Sequence, residues 1–445
     1  MEEFDLVKIG FVSLGCNKNL VDSEIMMGAC KKAGFEITPD AEDADVIVIN
    51  TCGFINDAKQ ESIDTILEMA DYKKKKCKFL IVTGCLTQRY KDEILNEMPE
   101  IDAILGVKEM LKLPEVIKKL YEGEGKIKVF DQQSTFIYTS STPRVIATPA
   151  YYAYIKIAEG CNNRCSYCSI PLIRGSYVSR HVDDIIREAE MLAQNGYKEI
   201  VLTAQDTTKY GLDIYNKKML PDLLQRLSEI DNIKWIRFLY SYPEDIDDNL
   251  LKVVKDNPKV VKYFDIPIQH INNRILRLMN RKTSSENIKE LITRIRSAFD
   301  EVVIRTTVLV GFPTESEDEF EELYEFVRWA KFDRLGAFAY SQEEDTPAAN
   351  LPQVDDEKKI KRYEKILNLQ RKISLDQNRR RIGREYEVVI EGKDRNNFYI
   401  ARSQFEAPEV DGKIIVFSRR KLLPGEFVHV KILDAFEYDL VGEVI

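Results

Sequence analysis

The chain has 445 residues, 44% of them hydrophobic and 31% charged, with 65 Lys and Arg against 74 Asp and Glu and a net charge of −9. That is ordinary globular composition with room for about three domains, and the acidic balance argues against a broad, sequence-independent grip on nucleic acid phosphates. The first residues lack the basic start and apolar run of a signal peptide, and no apolar stretch is long enough for a bilayer, so a cytoplasmic protein without membrane attachment is expected.

Eight cysteines scattered over such a chain point to metal binding or catalysis rather than a disulfide framework. Three local basic runs qualify the acidic balance: Lys73, Lys74, Lys75 and Lys76 with Lys78, Arg379, Arg380 and Arg381 with Arg384, and Arg419, Arg420 and Lys421. Each alone reads as a solvated helix end or loop.

In the N-terminal third, residues 7–15, 45–51 and 78–84 repeat one design, an apolar β-branched run that stops at a turn carrying Cys16, Cys52 or Cys85. Near-continuous apolar runs predict parallel strands covered by helices on both faces. Between the second and third runs Ala58, Ile63, Ile66, Leu67 and Ala70 recur at helical spacing, with Asn56 or Asp57 as the expected cap. Parallel strands point the same way, so the three cysteines should gather at the carboxyl edge of the sheet, where ligands bind, as a metal site. Cys30 lies on a predicted helix with Ile25, Met26 and Met27 and reads as core packing, while Cys77, in a lysine-rich loop, has no expected role.

The central stretch opens with an apolar run at 151–160 followed by Cys161, Cys165 and Cys168, a CX3CX2C pattern. Three thiolates with no fourth nearby leave one iron of a cubane open, and an open metal site is what substrate binding requires. Only His181, His270 and His429 could complete a zinc site instead. With Tyr167 before the last cysteine, the pattern resembles the radical S-adenosylmethionine superfamily. That resemblance implies a cofactor chelated to the open iron, Tyr167 against its adenine, and cleavage to a 5′-deoxyadenosyl radical. Five further strand-like runs, at 199–206, 234–241, 262–269, 301–312 and 334–341, make six βα units and predict a partial (β/α)6 barrel with its site at the strands' carboxyl ends. Gln205, Asp206, Gln269, His270, Arg305 and Glu315 are expected at that mouth, and Gly311, in Gly311-Phe312-Pro313, would let backbone approach the cofactor. Tyr167, Gln205 and Gly311 are thus the cofactor-binding candidates.

From about Arg384 alternating strand patterns predict a small OB-like barrel. Residues 384–445 hold 9 Lys/Arg and 12 Asp/Glu, a net of −3, which suits a basic protein partner better than a phosphate backbone.

Cys16, Cys52 and Cys85 ahead of the radical motif, with a terminal β module, resemble the methylthiotransferase family over essentially the whole chain. Residues 13–24, 49–55, 84–90, 204–211, 265–270, 305–315 and 406–412 are similar to its ribosomal-protein branch; Asn17 stands where that branch usually has proline. The resemblance implies an N-terminal methylthiotransferase domain with a Rossmann- or flavodoxin-like parallel sheet (1–145), a radical barrel (146–380) and a TRAM domain (381–445). It implies two [4Fe–4S] clusters, S-adenosylmethionine as methyl donor and radical source, and methylthiolation of an aspartate β-carbon in ribosomal protein uS12, which no ordinary base near neutral pH could activate. A flavodoxin- or ferredoxin-type reductant is implied too. The alternatives are the same chemistry on a transfer RNA adenosine, which the −3 terminal module opposes, and a noncatalytic electron carrier, which would close its clusters with four ligands. Transfer RNA is therefore not expected as a substrate.

Overall fold

The apolar runs are strands. The computed structural model describes residues 7–131 and 136–445, so the first residues, read above as lacking a leader, lie outside it. Lys8–Ser13, Val46–Thr51 and Phe79–Gly84 are adjacent parallel strands of a six-stranded sheet. Val46–Thr51 is buried along its whole length, which is why it shows no polar alternation. The sheet order is Glu36–Thr38, Lys8–Ser13, Val46–Thr51, Phe79–Gly84, Ala103–Leu105, Ile127–Val129. The three strands not foreseen have three residues each, too few to show a period. Strand order reverses between Lys8–Ser13 and Val46–Thr51, the kind of point where α/β sheets open a ligand crevice.

Two local expectations are corrected. Helix Asn56–Ala70 has Ile55 at its N-cap with no side-chain cap bond, so neither Asn56 nor Asp57 caps it; Asp57 instead places negative charge in the first turn, where the helix dipole favours it. Its buried residues are Ser62, Ile66 and Met69, while Ile63 and Leu67 are exposed, because the face against the sheet is rotated from the apolar stripe. Cys30 does pack in the core beside Val21, Ile25 and Met26. Cys77 is also buried. The lysine run is neutralised residue by residue: Lys73 pairs with Asp102, Lys74 with Asp71, Lys75 with Glu42 and Lys76 with Asp43, at 2.6–2.9 Å.

All six barrel strands form where expected, in sequence order. Tyr152–Lys156, Glu199–Thr203 and Trp235–Phe238 make one parallel sheet, and Tyr263–Asp265, Val303–Val310 and Arg334–Ala339 another, joined by the parallel bridge Ile236 to Val260. Strand alternation divides their side chains between two cores. Ala153, Ile155, Ile200, Leu202, Ile236 and Phe238 pack with the surrounding helices. Tyr152, Tyr154, Val201, Trp235, Tyr263 and Val303 join the core of the C-terminal module instead.

That module is a closed five-stranded barrel, Glu385–Lys393, Tyr399–Ser403, Ile414–Phe417, Leu440–Val444 and Phe427–Ala435 in order. Its segment 402–411 enters the inner face of the radical barrel. Tyr152 donates to Glu409 at 2.7 Å and Tyr263 to Asp411 at 2.7 Å, Arg237 donates to the Gln404 carbonyl at 3.0 Å, and Arg402 pairs with Glu199 at 2.7 Å. Arg305 is drawn into this plug, pairing with Asp265 at 2.9 Å and lying 3.8 Å from Asp411. It is therefore a link to the C-terminal module rather than a group free at the mouth. No helix among the described residues is long and apolar enough to cross a membrane.

Candidate iron–sulfur centres

Cys16, Cys52 and Cys85 lie at the carboxyl ends of three adjacent strands. Cys16 is the N-cap of helix Asn17–Lys32, Cys52 follows Val46–Thr51, and Cys85 opens helix Cys85–Glu97. Two of the three cysteines thus stand at helix N-termini, which favour thiolate, although burial outweighs this at Cys85 and raises its thiol above the ordinary value. The loops close tightly: Gly15 has φ +83°, and a Cβ there would sit 2.8 Å from the Cys52 Cβ and 3.1 Å from its Sγ. Burial, then the neighbouring Cys85, pushes the Cys52 thiol up to about 11. Burial would raise Cys16 too, but Lys18 and Arg174 outweigh it and hold that thiol below its ordinary value.

The helix after Cys16 turns a polar face toward the radical barrel, and each polar residue on it has a use. Asn17 accepts from Thr203 at 2.9 Å, so the residue that replaces the usual proline ties the loop to the barrel. Lys18 sits 3.4 Å from the Tyr240 ring centroid, a cation–π contact. Asn19 donates to the carbonyls of Leu14 and Thr51 at 3.0 Å. Asp22 pairs with Lys156 and, at 2.7 Å, with Arg174. Glu24 accepts from Arg144 at 2.5 Å and from the Ala147 amide at 2.7 Å.

The second set occupies the loop after the first barrel strand. The Cys161 amide donates to the Gly175 carbonyl at 3.1 Å, Asn163 donates to Asp206 at 2.8 Å, and the Ser166 hydroxyl donates to the Leu278 carbonyl at 2.7 Å. Asp206 thus braces the cysteine loop. The Tyr242 hydroxyl stands 3.4 Å from Cys165 Sγ, with Arg281 stacked 4.2 Å from the Tyr242 centroid. Tyr167 is half-buried against the cluster of Ile275, Met279, Leu309 and Phe312. Gln205 donates to Glu159 at 3.0 Å, while its buried Oε1 has no partner, an acceptor left over for a ligand. Gly311 has φ +68°, and a Cβ there would meet the Lys359 side chain at 2.3 Å, so packing of helix Asp356–Arg379 already demands glycine. Among the described residues no three His, Cys, Asp or Glu side chains converge as a single ion requires; cubane ligands bind separate irons and stand further apart.

Sequence reasoning missed Lys18, Asn19, Glu159, Arg174, Tyr242 and Arg281. Their signal was the crowding of polar residues around each cysteine, which names no role before the two sheets are brought together.

Behind the mouth, Glu315 accepts from the Phe312 amide at 2.9 Å and pairs with Arg362 at 3.3 Å, and buried His270 stands 4.0 Å away. Burial pushes the Glu315 carboxyl up to about 7, Arg362 opposing, and lowers His270 to about 3, so this histidine is neutral. The native state keeps the Glu315 proton up to about pH 7, whereas the unfolded chain releases it near 4.5. The folded form therefore binds more protons in that window, and this contribution to stability falls as pH rises through it. Glu315→Gln is expected to flatten that decline, as read from apparent melting temperatures at pH 5 and pH 8; an unchanged difference between them would refute it.

A strand-end CX3CX2C loop on a partial βα barrel defines the class, and residues 155–327 match the family model described as the Radical SAM superfamily. Residues 8–106 match "Uncharacterized protein family UPF0004" and 382–445 the TRAM domain. The chain is 86% identical over 440 residues to the ribosomal protein uS12 methylthiotransferase RimO of Caldicellulosiruptor saccharolyticus, covering 99% of this chain and 100% of that one. It is 51% identical to the protein of that name from Clostridioides difficile, covering 99% of each. The chain belongs to the RimO family of radical S-adenosylmethionine methylthiotransferases. Among solved structures, the radical S-adenosylmethionine methyltransferase TsrM from Kitasatospora setae shares the fold, with a TM-score of 0.58, 16% identity and coverage of 78% of this chain and 77% of that one.

Proposed function

We propose that this chain inserts a methylthio group at the β-carbon of an aspartate in ribosomal protein uS12, using one [4Fe–4S] cluster on Cys161, Cys165 and Cys168 and a second on Cys16, Cys52 and Cys85. The observation that carries this reading is the closeness of the two sets: Arg174, on the short helix after Cys168, donates to Cys85 Sγ at 3.6 Å. Each set offers three thiolates, so each cluster keeps an iron for an exogenous ligand.

When bound, the cofactor at the Cys161 set supplies the radical that removes an unactivated hydrogen, and S-adenosylmethionine also supplies the methyl group. The chain orients it. Tyr167 would lie against the adenine, the unpartnered Gln205 Oε1 would accept from the cofactor, and the backbone at Gly311 would border it, while Tyr242 and Arg281 would shield Cys165. The cluster on the Cys16 set would carry or deliver the sulfur through its open iron. The chain divides into residues 1–145, 146–380 and 381–445, in keeping with a first sheet ending at Val129, a radical barrel starting at Tyr152 and a terminal barrel starting at Glu385. It works in the cytoplasm with a flavodoxin- or ferredoxin-type reductant.

Mass spectrometry of uS12 and of transfer RNA from a deletion strain tests the assignment. The uS12 methylthio group is expected to vanish and return on complementation. Loss of a transfer RNA methylthio group with uS12 unchanged would transfer the chain to the nucleic acid branch.

A further inference from the structure

Arg174 is buried, yet it comes from the radical barrel and ends among the N-terminal cysteines. Its Nη1 donates to Asp22 at 2.7 Å and lies 3.3 Å from a Glu159 oxygen; its Nη2 donates to Asn19 at 2.5 Å and to Cys85 Sγ. Asn19 is fixed in turn by the carbonyls of Leu14 and Thr51, one at each of two cysteine-bearing turns. The guanidinium is thus aimed at one thiolate by groups that leave it little freedom.

Charge supplies a second, independent observation. Lys18, Lys156 and Arg174 are the cations of this buried shell and Asp22 and Glu159 its carboxylates, leaving one positive charge. An oxidised [4Fe–4S] core of charge 2+ on three thiolates carries one negative charge. The shell matches the oxidised cluster.

We propose that Arg174 is a positioning residue for the N-terminal cluster: it neutralises the Cys85 thiolate by a charge-assisted hydrogen bond and raises the cluster's reduction potential, placing that property under the control of the radical-cluster loop. The inference rests on the two-cluster reading. A donor or a positive charge beside a cluster sulfur stabilises the reduced, more negative state, so removing it lowers the potential. Because the same short helix follows Cys168, a shift of that loop would alter the charge felt by the other cluster.

The test uses full-length protein carrying Cys161→Ala, Cys165→Ala and Cys168→Ala, reconstituted anaerobically, so that only the N-terminal cluster remains. About four irons per chain in this background establish that cluster, and a count near zero would dismiss the two-cluster reading itself. Adding Arg174→Gln is expected to lower the ratio of reduced to oxidised cluster at fixed potential about tenfold, which is 59 mV for one electron, followed by electron paramagnetic resonance. Arg174→Lys, which keeps the charge but loses the fixed guanidinium bond to Cys85, should recover about half of that shift and leave the potential below the parent's. A ratio within twofold of the parent in Arg174→Gln, with iron intact, would overturn the proposal. Should Arg174→Gln lose its iron, Arg174→Lys decides: a lowered potential supports the proposal, while an unchanged potential, or iron lost from both, reduces Arg174 to a structural residue.

Discussion

Alanine at Cys161, Cys165 and Cys168 together is expected to lower the iron of anaerobically reconstituted protein from about eight atoms per chain to about four, and to reduce 5′-deoxyadenosine release with S-adenosylmethionine and dithionite to background. The two cysteine sets sit on different sheets, so loss of one leaves the strand ends that hold the other intact. The loop should also survive the change in shape: the Tyr242 contact to Cys165 Sγ is lost, but the bonds of the Cys161 amide, Asn163 and Ser166 remain. Four irons in the parent falling to none would mean that the N-terminal cysteines hold no cluster. The family assignment would then stand without its two-cluster chemistry.

The converse variant separates radical generation from sulfur transfer. With Cys16, Cys52 and Cys85 replaced by alanine, 5′-deoxyadenosine should still be released under dithionite while uS12 gains no methylthio group. Arg174 would lose its contact to Cys85 but keep Asp22, Asn19 and Glu159, so the helix behind the radical loop has no reason to move. Methylthio product from this variant, read by mass spectrometry of uS12, would remove the N-terminal set from the reaction. Loss of 5′-deoxyadenosine as well would mean that the two centres cannot be assigned separate tasks.

The periodicity of the chain carried most of the fold. Six barrel strands and the three cysteine-bearing strands were visible because each lies in a longer apolar run, even where the strand itself is short, as at Tyr263–Asp265. Glu36–Thr38, Ala103–Leu105 and Ile127–Val129 have three residues each and were not picked out from their surroundings. The stripe Ile63 and Leu67 misled because spacing identifies a helix but not which side of it meets the sheet. In the site, cysteine positions were legible from strand ends. Arg174 and Asn19 were not, since they lie 155 positions apart in the chain and their meeting depends on how two sheets pack. Arg305 shows the same limit: it lies on a barrel strand as expected, yet Asp411 of the last module draws it inward.

The plug formed by 402–411 makes the radical barrel a cup rather than a tube, and so the C-terminal module is not an interchangeable part. Glu199 and Arg237 are fully buried and take partners from it, Arg402 and the Gln404 carbonyl. Glu199 and Arg237 also pair with each other at 2.9 Å, so a foreign module whose loop lacks those partners would cost the two added hydrogen bonds to charged groups, about 1.5–3 kcal/mol each, and unsettle the floor of the cup. Any chimaera meant to exchange substrate recognition between relatives must keep residues 402–411 native and graft only the outer face of the terminal barrel. A relative with a different inner loop is accordingly expected to differ also at the positions of Glu199 and Arg237, which that loop meets.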